Sequence, residues 1–100
     1  MEKFVKFQNH DYMDMYPHDY VRTFIADDLE GIKLEAIKYA QHMNRNYSGG
    51  TTKFICVMDA QEAKSFIDGE ITKEKENWAP DSQEWIDRIT NLYNKCYGEA

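Results

Sequence analysis

The sequence predicts an α+β fold: a small mixed sheet of three, or at most four, strands packed by about three helices, in the order β-β-α-β-α-α. Three observations carry it. Residues 20–26 (YVRTFIA) and 52–58 (TKFICVM) are β-branched and aromatic, as strands are. Apolar residues recur at three- and four-residue steps over 29–47 and again over 85–96. Asp-x-x-Glu stands before three separate helical stretches, where a cap is needed.

Taken in order, residues 2–8 alternate, with Val5 and Phe7 on one face, which predicts a short edge strand. Residues 9–19 hold Pro17 and read as a loop, and 20–26 as a strand. Asp27 and Glu30 open a long helix whose stripe is Leu29, Ile32, Ala36, Tyr39, Ala40, Met43 and Tyr47. Leu34 and Ile37 lie off that stripe, so the apolar girdle is wide. Gly49-Gly50 is expected to end the helix as a left-handed C-cap.

In 52–58, Phe54, Cys56 and Met58 alternate with Ile55 and Val57. Apolar on both faces, this run predicts a central, covered strand, joined to 20–26 by a right-handed parallel crossover. Asp59 and Glu62 open a short helix over Ala63, Phe66 and Ile67, expected to stop at Gly69; a hairpin turning at Asp68-Gly69 is the competing reading. Residues 70–80 are charged and read as a loop, anchored by Ile71 and Trp78 and ending at Pro80. Asp81 and Glu84 start the last helix, with Trp85, Ile89, Leu92 and Cys96 as its stripe, Ile86 and Tyr93 alongside, and Gly98 at its end. The six paired acids are assigned to capping, which removes them from the catalytic candidates.

One domain over 1–100 fits the length, and 42 % hydrophobic residues suffice for one core. Eighteen acids against twelve bases leave a net charge of −6. A chain this acidic is not expected to bind nucleic acid directly, because phosphate contacts need clustered Lys and Arg. No stretch approaches the ~20 apolar residues of a membrane span, and the N-terminus has no apolar run of a leader, so a cytoplasmic location is expected. Cys56 and Cys96 fit no zinc or redox spacing and are expected to be reduced thiols.

The stretch NHDYMDMYPHDYVR, residues 9–22, looks most like chemistry. His10-Asp11-Tyr12 and His18-Asp19-Tyr20 repeat, with Asp14 between. A metal would need three or four ligands converging at ~2.0–2.2 Å. A loop with Pro17 sets no such spacing, and His42, the third histidine, belongs to a helix. No metal and no cofactor is therefore expected. A docking surface fits the composition better: tyrosine and methionine are frequent at interface cores, and carboxylates pair with basic partners. The expected partner-binding residues are Asp11, Tyr12, Asp14, Tyr16, Asp19 and Tyr20. The opposing reading of the same tyrosines is that they close one end of the core.

Tyr47-Ser48-Gly49-Gly50-Thr51-Thr52 is the one Gly-rich loop, but it follows a helix and precedes a strand, the reverse of a phosphate cradle. No cysteine or serine has a sequence neighbour that would activate it. With no credible catalytic set, the expected function is that of a small acidic, non-enzymatic inhibitor or regulator. It would dock on a basic surface of a partner protein, such as a nucleic-acid-processing or defence enzyme. In build, though not in any motif, it has the character of phage (viral) anti-defence proteins, anti-CRISPR proteins among them, and of toxin immunity proteins. A second reading is a small-ligand (nucleotide or metal) binder or small enzyme using His10, His18 and Arg22 at the end of the sheet. A third is a homodimer through Leu34 and Ile37.

Overall fold

In the computed structural model the elements are β1 (Glu2–Asp11), β2 (His18–Ile25), α1 (Leu29–Asn46), β3 (Gly50–Val57), α2 (Ala60–Asn77) and α3 (Ser82–Tyr97). The structure describes residues 1–13, 16–47, 49–77 (backbone only at 77) and 82–98. This is an α+β fold in the expected order. The chain forms two compact units, Met1–Met58 and Asp59–Ala100.

The first unit is a three-stranded sheet of order β2-β1-β3 with α1 on it. Both pairings are antiparallel, where the sequence pattern suggested a mixed sheet. β1 is the central strand and β3 an edge, the reverse of the expected places. β2 and β3 do run in the same direction, but the α1 crossover carries the chain over β1, so no parallel pair forms between them. The alternation of 2–8, with Lys3 among its polar residues, reads as an edge. Lys6 fits at the centre because its ammonium lies 3.5 Å from the Asp19 carboxylate on β2.

β3 reads as apolar on both faces for a reason other than double cover. Lys6 pairs with Cys56 and Phe7 with Phe54, so Ile55 is an extra residue, a β-bulge. The bulge shifts the phase of the strand. Phe54 and Val57, three residues apart, both pack on the α1 side, where regular alternation would separate them.

Val5, Phe7, Ile32, Ala36 and Ala40 are buried and form the core of this unit. Ala36 and Ala40 keep the helix stripe narrow, which lets α1 lie close to the sheet. Phe7, fully buried, is the hub: its ring centroid is 5.0 Å from Tyr39, 5.4 Å from Tyr20, 5.7 Å from Phe24 and 6.4 Å from Phe54. Each such aromatic pair adds about 0.5–1.5 kcal/mol beyond the buried area. Leu29 and Tyr47, at the ends of the predicted stripe, are exposed.

The caps of α1 differ from expectation by one residue and by kind. Asp28, in place of Asp27, is the N-cap; its carboxylate accepts from the Gly31 amide at 2.8 Å. At the other end Tyr47 is extended (φ −128°, ψ 120°) and donates its N–H to the Met43 carbonyl, so no left-handed glycine stops the helix. The Asn46 amide closes the last turn by donating to the His42 carbonyl at 2.8 Å. Gly50 is glycine for another reason: a Cβ there would lie 2.6 Å from the His10 carbonyl oxygen and 2.8 Å from Asp11 Oδ1.

Asn44 ties α1 to β3. Its Oδ1 accepts from the Thr52 amide at 2.7 Å and its Nδ2 donates to the Thr52 carbonyl at 2.9 Å. A single side chain thereby satisfies both backbone groups of a buried residue on an edge strand.

In the second unit, α2 and α3 pack on each other. The expected box at its start is formed: Glu62 N–H donates to Asp59 Oδ1 at 2.8 Å and Asp59 N–H to Glu62 Oε1 at 3.4 Å. α2 then runs through Gly69 to Asn77, so neither the stop at 69, nor the hairpin, nor the loop over 70–77 is formed. Ala63 and Ile67 are buried and Glu70, Ile71 and Glu74 half-buried, a continuous helical stripe that two glutamates hide from a hydropathy reading. Glu74 earns its place by accepting from Ser82 Oγ at 3.0 Å. Lys64–Asp68 and Lys73–Glu70 ion pairs run along the helix, and the Lys64 ammonium also lies 5.9 Å from the centre of the Tyr93 ring on α3. On α3 the expected stripe faces inward, with Cys96 buried and Trp85, Ile89 and Leu92 half-buried. Trp78, Pro80 and the Asp81 cap lie outside the described residues. No described helix is long and apolar enough to cross a membrane.

Candidate functional site

The β1–β2 hairpin brings the two His-Asp-Tyr triplets together, but not around a common point. Asn9 pairs with His18 across the ladder. Directly opposed residues share a face and neighbours along a strand alternate. His10 and His18 therefore project from opposite faces. Among the described residues, no three His, Cys, Asp or Glu side chains form a group that could hold a metal ion. Arg22, the third residue of the ligand-binding reading, is already engaged. It donates to the Tyr39 hydroxyl at 3.1 Å, with its guanidinium 5.1 Å from the centre of that ring.

The six expected partner-binding residues divide. Asp14 lies outside the described residues. Tyr20 turns inward, stacks on Phe7 and shares a 3.3 Å hydrogen bond with the Tyr39 hydroxyl. Burial, then the contact with Tyr39, pushes its phenol up to about 12. Asp11, Tyr12, Tyr16 and Asp19 are all exposed at the tip. The core-closing reading thus holds for Tyr20 and fails for the other two tyrosines: Tyr12 is 74 % and Tyr16 72 % accessible, and Met13 between them 94 %.

The tip is braced on its β1 side. β1 continues past the hairpin register to pair Asp11 with Gly50, and the Tyr12 amide donates to the Gly49 carbonyl at 3.1 Å. Tyr12 and Met13 therefore stand, water-exposed, where β1 ends against the sheet, and the exposed Tyr16 precedes β2. Such residues are costly to leave in solvent and effective at a contact.

The charge is unevenly placed. Residues 1–58 carry eight acids and seven bases, and 59–100 carry ten and five. Attraction at the tip must therefore come from its own carboxylates. Asp19 is paired with Lys6, which leaves Asp11, among the described residues, as the carboxylate best placed at the tip.

Beside Asp11, where α1 ends and β3 begins, there is a groove of about 510 Å³, lined by Asn9, Asp11, Met43, Asn46, Tyr47 and the 49–50 backbone among others. Sequence reasoning did not find it. Its one trace is Gly50, which reads as part of a turn but serves to seat the Asp11 carboxylate. Of the remaining candidates, Leu34 is 55 % accessible and Ile37 half-buried on α1. Cys56 is half-buried on β3 and Cys96 buried on α3, and both are thiols. Comparison with family models, with curated protein sequences and with solved structures gave no match.

Proposed function

We propose that this is a non-enzymatic docking protein whose β1–β2 hairpin tip binds a basic surface of a partner protein. The observation that supports it best is the exposure of Tyr12, Met13 and Tyr16 between β1 and β2, with Asp11 and the Tyr12 backbone tied to the β3 side of the sheet. Aromatic and methionine side chains supply the buried centre of an interface, and a carboxylate at its margin selects a basic partner and speeds encounter. A strand end already paired to the sheet at Asp11 and Tyr12 has less conformational entropy to lose on binding. The partner class that fits is an enzyme with a basic cleft, such as one that processes nucleic acid, which the tip would obstruct.

The test is capture from the natural host by the wild-type chain and by a Tyr12→Ala/Met13→Ala/Tyr16→Ala variant. These side chains are exposed, so the variant should melt within a few degrees of wild type. A partner retained by wild type and lost by the variant is expected. A partner held equally by both places the interface elsewhere.

A further inference from the structure

We infer that the groove beside the tip is a receptor for one guanidinium group, that of an arginine on the docked partner. This rests on the docking reading and adds the chemical group that is gripped.

The groove has the charge, the acceptors and the walls for that group. Asp11 contributes a carboxylate at the rim, seated over Gly50 because that position has no side chain. α1 ends here, so the groove lies at the negative end of the helix dipole. Asn46 sends its amide hydrogens to His42, at 2.8 Å to the carbonyl and 3.1 Å to Nδ1, leaving its carbonyl oxygen as the acceptor it offers. Met43 and Tyr47 supply apolar wall for a methylene stem, and the Tyr47 ring, 60 % accessible, is a face on which a planar cation stacks. Several acceptors spread around one cleft suit the planar fork of arginine better than the point charge of lysine. Arg45 and Lys53, the nearest basic residues in sequence, are not among the lining residues.

The experiment is an NMR titration of the full chain with N-acetyl-arginine methylamide, followed on backbone amides. The neutral citrulline and the cationic lysine analogues are run in parallel. Saturable shifts at Asn46, Tyr47, Gly49 and Gly50 are expected with arginine, smaller ones with lysine and none with citrulline. Asp11→Asn, an exposed change that keeps the fold, should weaken arginine about fivefold, which is about 1 kcal/mol at 1.4 kcal/mol per decade. Tyr47→Ala should weaken arginine more than lysine. Absence of saturation, an equal response to citrulline or to lysine, or indifference to Asp11→Asn would each overturn the assignment. No partner is needed, so a negative titration leaves docking by the tip standing, and loss of docking is read separately in the tip variant.

Discussion

Gly69→Ala tests the part of the fold that the sequence pattern hid. Gly69 lies inside α2, exposed, with a backbone outside the left-handed region and nothing within 4 Å of where a Cβ would stand. The added methyl group meets no neighbour, so only helix propensity changes. Alanine is better than glycine by about 0.8–1.0 kcal/mol in a helix interior. Unfolding entropy near the midpoint is about 2.1 cal/mol/K per residue, or about 0.2 kcal/mol/K for this chain, so the midpoint should rise by about 4–5 °C. The assay is thermal unfolding followed by circular dichroism at 222 nm, where helix signal should not fall. Gly50→Ala is the opposed control. There the methyl group would meet backbone oxygen at 2.6 Å, and stability should drop. A lowered midpoint for Gly69→Ala would refute the reasoning, because it would mean the glycine ends the helix with a conformation alanine cannot take.

Two other outcomes follow from single contacts. Asn44→Ala removes both partners of the Thr52 backbone and should cost about 1–3 kcal/mol, with faster hydrogen exchange at Thr52; unchanged exchange there would show that the side-chain clamp protects nothing. The Tyr20 phenol stays neutral in the folded protein to about pH 12 while its unfolded counterpart ionises near 10, so its contribution to stability is complete below pH 10 and declines from there toward 12. Tyr20→Phe should flatten that decline in urea midpoints measured between pH 9 and 12, and an unaltered slope would assign it to other groups.

Element types were legible because they depend on local pattern. Periodicity and the Asp59–Glu62 box marked the helices, and β-branched runs marked the strands. The order of strands was not legible, because it depends on which edge each strand finds after the chain has crossed. Lys6 sits on the central strand with its ion-pair partner, Asp19, on the neighbouring one, and that pairing is set by the fold rather than by the local pattern. The pattern ends α2 early because Gly69 resembles a stop and because Glu70 and Glu74 occupy stripe positions; the Ser82 hydroxyl on the next helix, a contact that hydropathy does not register, makes one of them acceptable. At the tip, composition pointed to Tyr12, Tyr16 and Tyr20 alike. Only the pleat separates the last from the others, since its direction follows from pairing with Phe7.

The displaced residue at Ile55 divides the β1–β3 ladder into two runs, Val5–Lys6 with Cys56–Val57 and Phe7–Asp11 with Gly50–Phe54. An interrupted ladder frays in segments. Opening that begins at the hairpin turn can reach Phe54 and stop there, since the next pair belongs to a separately closed run. The Asp11 end of this ladder can thus open while the Val5 and Lys6 pairs stay zipped, and removing Ile55 would weld the two runs into a single unit that opens all together.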